Sequence, residues 1–286
     1  PELIPSGTRL GKLKPELATA SGLGEIEVLA TCSHDTGAAV AAVPADGDQW
    51  AYLSSGTWSL IGVELPEPII NDAARDLNFT NEIGHGNTVR LLRNIIGLWL
   101  VQECRREWAE DGKEYDYSTL TRLATEAIPF AALIDPSDER FFKPQSMSGA
   151  IAEFCHETDQ TPPSTPGGFI RCALESLALL YHRRLNEVCE LTSRKVKQLH
   201  IVGGGSRNVL LNQFTANACN IEVIAGPAEA TALGNVLLQS ITLGHLPNLR
   251  AARRCVRQSM DVENYKPEEI EKWAEARNRF DSIAKS

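Results

Sequence analysis

Apolar residues recur along the chain in two rhythms. Short runs rich in β-branched residues, "EIEVLATC" (25–32) and "WAYLSSGTWSLIGVEL" (50–65), have the length and composition of strands. The first reads as one buried strand, and the second as two strands joined by a turn at Ser54–Thr57. Between them, 33–42 reads as the start of a helix. Over "NTVRLLRNIIGLWLVQECRREWAE" the spacing becomes helical, with Leu92, Ile95, Ile96, Trp99, Leu100 and Cys104 on one side. "YSTLTRLATEA" is a second amphipathic helix, closed by Pro129. A proline-broken loop, "FAALIDPSDERFFKPQSM", leads into helices around 148–156 and 166–192.

From "VKQLHIVGGGSRN" to "GPAEATALGNVLLQSITLGHL" the order is strand, glycine loop, helix, strand, turn, helix, which predicts an α/β sheet with helices packed on it. "PEEIEKWAEARNRFDSIAKS" reads as a final polar amphipathic helix starting near Pro267.

Composition narrows the function classes. The 286 residues suffice for a large core, and no run of about 18 apolar residues could span a membrane. The opening segment lacks the basic and apolar regions of a secretory signal, so a cytoplasmic location is expected. A net charge of -9 argues against a nucleic-acid surface, which needs a dense Lys/Arg face. Seven scattered cysteines without a C-x-x-C pair indicate neither a zinc site nor a disulfide framework. Reduced thiols are the default, although Cys155 and Cys172 flank a loop that would let two antiparallel helices bring them together.

Four places carry candidate chemistry, each with a structural alternative. In "CSHDTGAAVAAVP", Asp35 is either a helix cap or a proton acceptor, and His34 either a structural histidine or a substrate contact. "SSGTWS" is either a hairpin turn or a phosphate-binding turn bearing hydroxyls. "IVGGGSRN" is a tight strand–helix turn or a place where backbone approaches a ligand. It is no dinucleotide fingerprint, because Asn208 stands where the third glycine belongs. Asn94 and Gln102, read here as lying on one helix, either face a cleft or are solvated.

The order of these parts resembles the C-terminal part of the FGGY carbohydrate kinases, of the actin/hexokinase-like (ribonuclease H-like) ATPase superfamily. The wording of "SHDTGAAVAAVP", "YLSSGTWSLIG", "LLRNIIGLWLVQECRREW" and "HIVGGGSRNVLLNQFTANACNIEVIAGPAEATALGN" carries the likeness over nearly the whole chain. The resemblance implies an α/β fold with helical insertions, in which residues 1–46 trail from an N-terminal domain and 47–286 form the nucleotide-binding C-terminal domain. It implies phosphorylation of a ketose by ATP with Mg²⁺, with L-rhamnulose as the expected sugar. Another sugar of the family, xylulose or fuculose, and a non-catalytic nucleotide-binding fragment are the alternatives. It makes Asp35 the catalytic base, sets His34, Thr36 and Asn94 at the sugar, and puts Thr57, Gln102 and Gly204 at the nucleotide. Family members also have an N-terminal domain carrying the first phosphate loop, which this chain lacks, so the fragment by itself is expected to be inactive.

Overall fold

The computed structural model describes residues 3–284. Strand β1 (Arg9–Lys12), helix α1 (Pro15–Ser21) and strand β2 (Glu27–Leu29) come first, and β1 and β2 pair in a small antiparallel sheet. The run 25–32 therefore does contain a strand, but one of three residues, and Ile26 and Val28 are exposed instead of buried. A two-stranded sheet with no layer packed on it leaves its apolar side chains in solvent.

Helix α2 (Asp35–Ala41) follows, then the hairpin of β3 (Trp50–Ser55) and β4 (Trp58–Leu65), as the sequence predicts. A short helix α3 (Asp72–Asp76) leads to the hairpin of β5 (Thr80–Ile83) and β6 (Val89–Ile96). Here the helical reading fails: 89–96 is a strand, and helix α4 (Trp99–Glu110) begins only after Gly97. Leu91 and Leu92 are both buried, in different cores, because β6 is covered on both faces. A strand buried on both sides shows no alternation and passes for a helix.

Helices α5 (Tyr117–Glu126) and α6 (Met147–Glu157) complete an insertion that returns through the long α7 (Pro166–Thr192). Cys155 and Cys172 meet where α6 approaches α7, as free thiols, Cys172 hydrogen-bonded to Cys155. Then come β7 (Gln198–Val202), α8 (Val209–Cys219), β8 (Glu222–Ala225), α9 (Ala230–Thr242), α10 (Leu249–Ser259), β9 (Glu263–Tyr265) and α11 (Ile270–Ile283).

The main sheet has the order β5-β6-β4-β3-β7-β8-β9, with β3, β7 and β8 parallel. Alternation along β3 divides two cores. Ala51 and Leu53 face the larger, with Leu174, Leu177 and Tyr181 of α7, while Trp50 and Tyr52 face the smaller, with Val40 of α2, Leu237 of α9 and Val256 of α10. Pairing of Ser54 with Val202 puts the C-terminal ends of β3 and β7 side by side. The loops that leave those ends therefore start together, the usual place for a ligand in an open α/β sheet.

Candidate functional site

The first of these loops is the β3–β4 turn, Gly56–Thr57. Its carbonyl oxygens receive the start of α4: Leu98 N–H donates to Gly56 O at 2.9 Å, and Gly97 and Trp99 N–H both donate to Thr57 O at 3.1 Å. Gly97 makes this docking feasible, since a Cβ there would stand 2.6 Å from Gly56 O. Thr57 is left exposed, and Gln102 lies half-buried in the first turn of α4. Gln102 also lines a groove of 480 Å³ with Arg105, Arg106, Tyr115 and Tyr117.

The second loop holds the three glycines. Gly203 has φ +87°, and a Cβ on it would come within 2.9 Å of Ser55 O, while one on Gly205 would meet Ser55 Oγ at 2.0 Å. These two are needed to pack the loop on β3. Gly204 is different: it is exposed, with nothing within 4 Å of its Cβ position. The chain then makes a 3-10 turn before α8, whose N-terminus is capped by its own Asn208 side chain accepting from Leu211 N–H at 3.0 Å. Beneath the hairpin, Ser59 and the Tyr181 hydroxyl share a hydrogen bond of 2.9 Å, and burial pushes the Tyr181 phenol up to about 12. Such a group stays a neutral hydrogen-bonding support.

Asp35 opens α2 on the other side of the sheet. Its side chain is 72% exposed, and Oδ1 accepts Thr36 N–H at 2.7 Å. It does not cap by accepting from further along the helix, so the cap alternative leaves most of the carboxylate unused. The ring of His34 stands beside it, Nε2 3.3 Å from Asp35 Oδ1, and Nδ1 is 3.0 Å from Glu82 Oε2 on β5. Glu82 in turn accepts from Arg90 Nη2 at 2.7 Å, and the Arg90 side chain is only 1% exposed. Gly37 leaves room for this guanidinium, because a Cβ there would lie 3.4 Å from Arg90 Nη2 and 2.9 Å from the Cys32 side chain. Burial pushes the Cys32 thiol up, against the opposing influence of its Ser6 hydrogen bond and of Arg90.

Asn94 sits on β6 opposite Leu60, on the sheet side that α2 covers, and is exposed. It shares no helix with Gln102. The structure thus brings Thr57, Gln102 and Gly204 to one end of the sheet, groups His34, Asp35 and Thr36 at the start of α2, and sets Asn94, exposed, on the sheet face that also carries that helix. Sequence reasoning missed Glu82 and Arg90. The signal available was "NEIGHGNTVR", a turn between two strands that puts these charges opposite each other, Glu82 pairing with Arg90 in the register.

Comparison with known proteins follows the same lines. Residues 51–243 match the FGGY family of carbohydrate kinases, C-terminal domain. A rhamnulokinase of Bacteroides thetaiotaomicron is 46% identical over 274 residues, 96% of this chain and 56% of that protein. One of Enterococcus faecalis is 42% identical, covering 100% of the chain and 57% of that protein. The chain therefore spans a little over half the length of these curated relatives. Among solved structures, ligand-bound xylulose kinase of Lactobacillus acidophilus superposes with a TM-score of 0.74 at 14% identity, covering 99% of this chain and 56% of that one. Xylulose kinase of Rhodospirillum rubrum gives 0.72 at 16%, with the same coverage. Such distant likeness speaks for the actin/hexokinase-like fold alone. The family match and the close relatives agree with the sheet order and its loops: the chain belongs to the FGGY family of carbohydrate kinases and carries its C-terminal domain.

Proposed function

We propose that the protein containing this chain phosphorylates L-rhamnulose on its 1-hydroxyl, with ATP as the phosphoryl donor. The observation that carries this is the identity above 40% to curated rhamnulokinases over nearly the whole chain.

In this reading Asp35 takes the proton of the sugar hydroxyl as its oxygen bonds to the γ-phosphorus and the bond to the departing ADP oxygen breaks. An ordinary carboxylate suffices, because the hydroxyl becomes acidic only as the new bond forms. The exposed Asp35 oxygen not engaged by Thr36 N–H is the one free to do so. His34, Thr36 and Asn94 border the sugar, Thr57 faces the terminal phosphates, and Gln102 and Gly204 contact the nucleotide. The open space at Gly204 supports that last role, since a base or ribose can lie flat on backbone there.

Mg²⁺ enters with the phosphates. Among the described residues no group of three or more His, Cys, Asp or Glu side chains could hold a metal ion. Bound at the phosphates, Mg²⁺ neutralises their charge.

Residues 1–46 belong, in this reading, to the end of an N-terminal domain, with α2 laid across the junction onto the sheet of residues 47–286. The exposed Leu10, Leu17, Ile26 and Val28 of the small sheet fit a segment whose packing partners lie in that domain. The intracellular ATP pool sets the reaction in the cytoplasm. No helix among the described residues is long and apolar enough to cross a membrane.

The test is a coupled ADP-release assay of the full-length protein against L-rhamnulose, xylulose and fuculose. L-Rhamnulose should give the highest kcat/KM, and a preference for another ketose would overturn the substrate assignment. ATP binding with no turnover on any sugar would favour a nucleotide-binding module.

A further inference from the structure

The last paired residues before the Gly56–Thr57 turn are Ser55 of β3 and Ser59 of β4, which stand opposite each other in the register. Both side chains lie on the sheet face that α7 covers, by the alternation that puts Leu53 and Ile61 in the larger core. Both serines are buried, and each is set against a loop of the candidate site. A Cβ on Gly205 would come within 2.0 Å of Ser55 Oγ, and one on Gly97 within 2.6 Å of Ser59 Oγ. One serine therefore underlies the glycine loop. The other underlies the residue whose N–H donates to Thr57 O.

Tyr181 reaches this pair from α7, and its side chain is fully buried. Its hydroxyl shares the 2.9 Å hydrogen bond with Ser59 Oγ. Ser55 Oγ, buried without a hydrogen-bond partner among the described residues, is near enough to act on the same phenol, where it opposes the rise that burial imposes. A hydroxyl has one donor and two acceptor lone pairs, so Tyr181 can hold Ser59 and still answer Ser55. A buried bond of this kind fixes position, because breaking it leaves polar atoms with no water to replace the partner.

We infer that Tyr181 is a positioning residue for the nucleotide: its hydroxyl holds the last rung of the β3–β4 hairpin, and that rung sets Thr57 and the glycine loop relative to each other. This rests on Thr57 and Gly204 being nucleotide contacts. The two loops leave the ends of strands, where the ladder of backbone hydrogen bonds stops. The 27-residue α7, seated along the larger core, supplies the fixed reference that the strand ends lack. Phosphoryl transfer depends on such placement, and a displacement of about 1 Å can cost roughly a hundredfold.

The full-length protein carrying Tyr181→Phe, Ser59→Ala or both is compared with the unmodified one by thermal midpoint, by calorimetric titration with ATP and by kinase assay. Tyr181→Phe keeps the ring in the core but strands the Ser59 hydroxyl, so the midpoint should fall. The double variant strands neither partner and should recover most of that loss. Ser59→Ala leaves the Tyr181 hydroxyl free to turn to Ser55. In all three, the dissociation constant and KM for ATP should rise about tenfold, while KM for L-rhamnulose stays within about twofold. A purely structural role would reduce the amount of folded enzyme and leave both KM values alone. ATP affinity that returns with the midpoint in the double variant, or that is unchanged in any folded variant, would overturn the proposal. If the unmodified protein bound ATP but phosphorylated no sugar, the proposed function would fall, and the change in ATP affinity would still decide the role of Tyr181.

Discussion

Gly234 on α9 lies so close to Ala38 on α2 that a Cβ built on the glycine would stand 1.8 Å from the Ala38 carbonyl oxygen. The two helices cross backbone to backbone, and this crossing sets where α2, and with it Asp35, rests on the sheet. Gly234→Ala gains up to about 1 kcal/mol in helix propensity, yet the added methyl must push two backbones apart, an overpacking cost of about 1–3 kcal/mol. The variant should have a lower thermal midpoint and, in the full-length enzyme, a lower kcat with nearly unchanged KM for ATP. An unaltered kcat would mean that α2 does not depend on this contact for its place.

The glycine loop offers a comparison within three consecutive residues. Gly203→Ala and Gly205→Ala each force a Cβ against Ser55 and should destabilise by about 1–3 kcal/mol, read as a drop in the thermal midpoint. Gly204→Val meets nothing and should leave the midpoint unchanged while raising KM for ATP about tenfold, equivalent to about 1.4 kcal/mol of binding. A collapse of the midpoint in Gly204→Val would make all three glycines structural.

Asp35→Asn preserves shape, and its amide oxygen can still accept Thr36 N–H. Turnover of the full-length enzyme should fall by roughly 10² or more, with ATP affinity retained by calorimetry. An undiminished rate would remove Asp35 from the role of base.

Acid should weaken the fold through His200. This ring is buried edge-on to Trp50, its centroid 6.0 Å away, with both nitrogens unpartnered among the described residues. Burial, reinforced by Arg253 and Arg257, pushes its pKa down to about 3. A depressed pKa means that the unfolded chain takes up the proton first. The contribution to stability is whole above the ordinary value near 6.5 and drains away as pH falls toward 3, roughly 4–5 kcal/mol in all. His182, pushed down to about 4 by burial and Arg277, acts in the same direction. Urea midpoints measured from pH 7 to pH 4.5 should fall less steeply for His200→Leu than for the unmodified chain, and parallel slopes would refute the assignment.

A chain that spans a little over half the length of its curated relatives should also catalyse poorly by itself. Kinase chemistry relies on bringing a held phosphate to a held sugar, and that proximity accounts for several kcal/mol of the barrier. The purified 286-residue chain should therefore fold and show no useful ADP release with L-rhamnulose. Turnover near the usual kinase range of about 1–100 s⁻¹ would show that residues outside this chain are not required.

What the sequence determined by itself is what short-range chemistry decides. The β3–β4 hairpin, the glycine loop between β7 and α8, and α7 with Thr165 capping its start through Gly168 N–H are all legible, because turn residues, caps and a helical period act within a few positions. The tertiary structure alone decided the rest. It made 89–96 a strand, since a run with apolar residues on both faces takes its conformation from the layers that cover it. It left 25–32 without a single buried residue, because no layer of this chain covers that small sheet. It paired Glu82 with Arg90 through strand register, and brought Gly234 against Ala38 across 196 positions of sequence. Such contacts depend on which surfaces are buried together, and burial is a property of the packed sheet and helices, which no local window of residues contains.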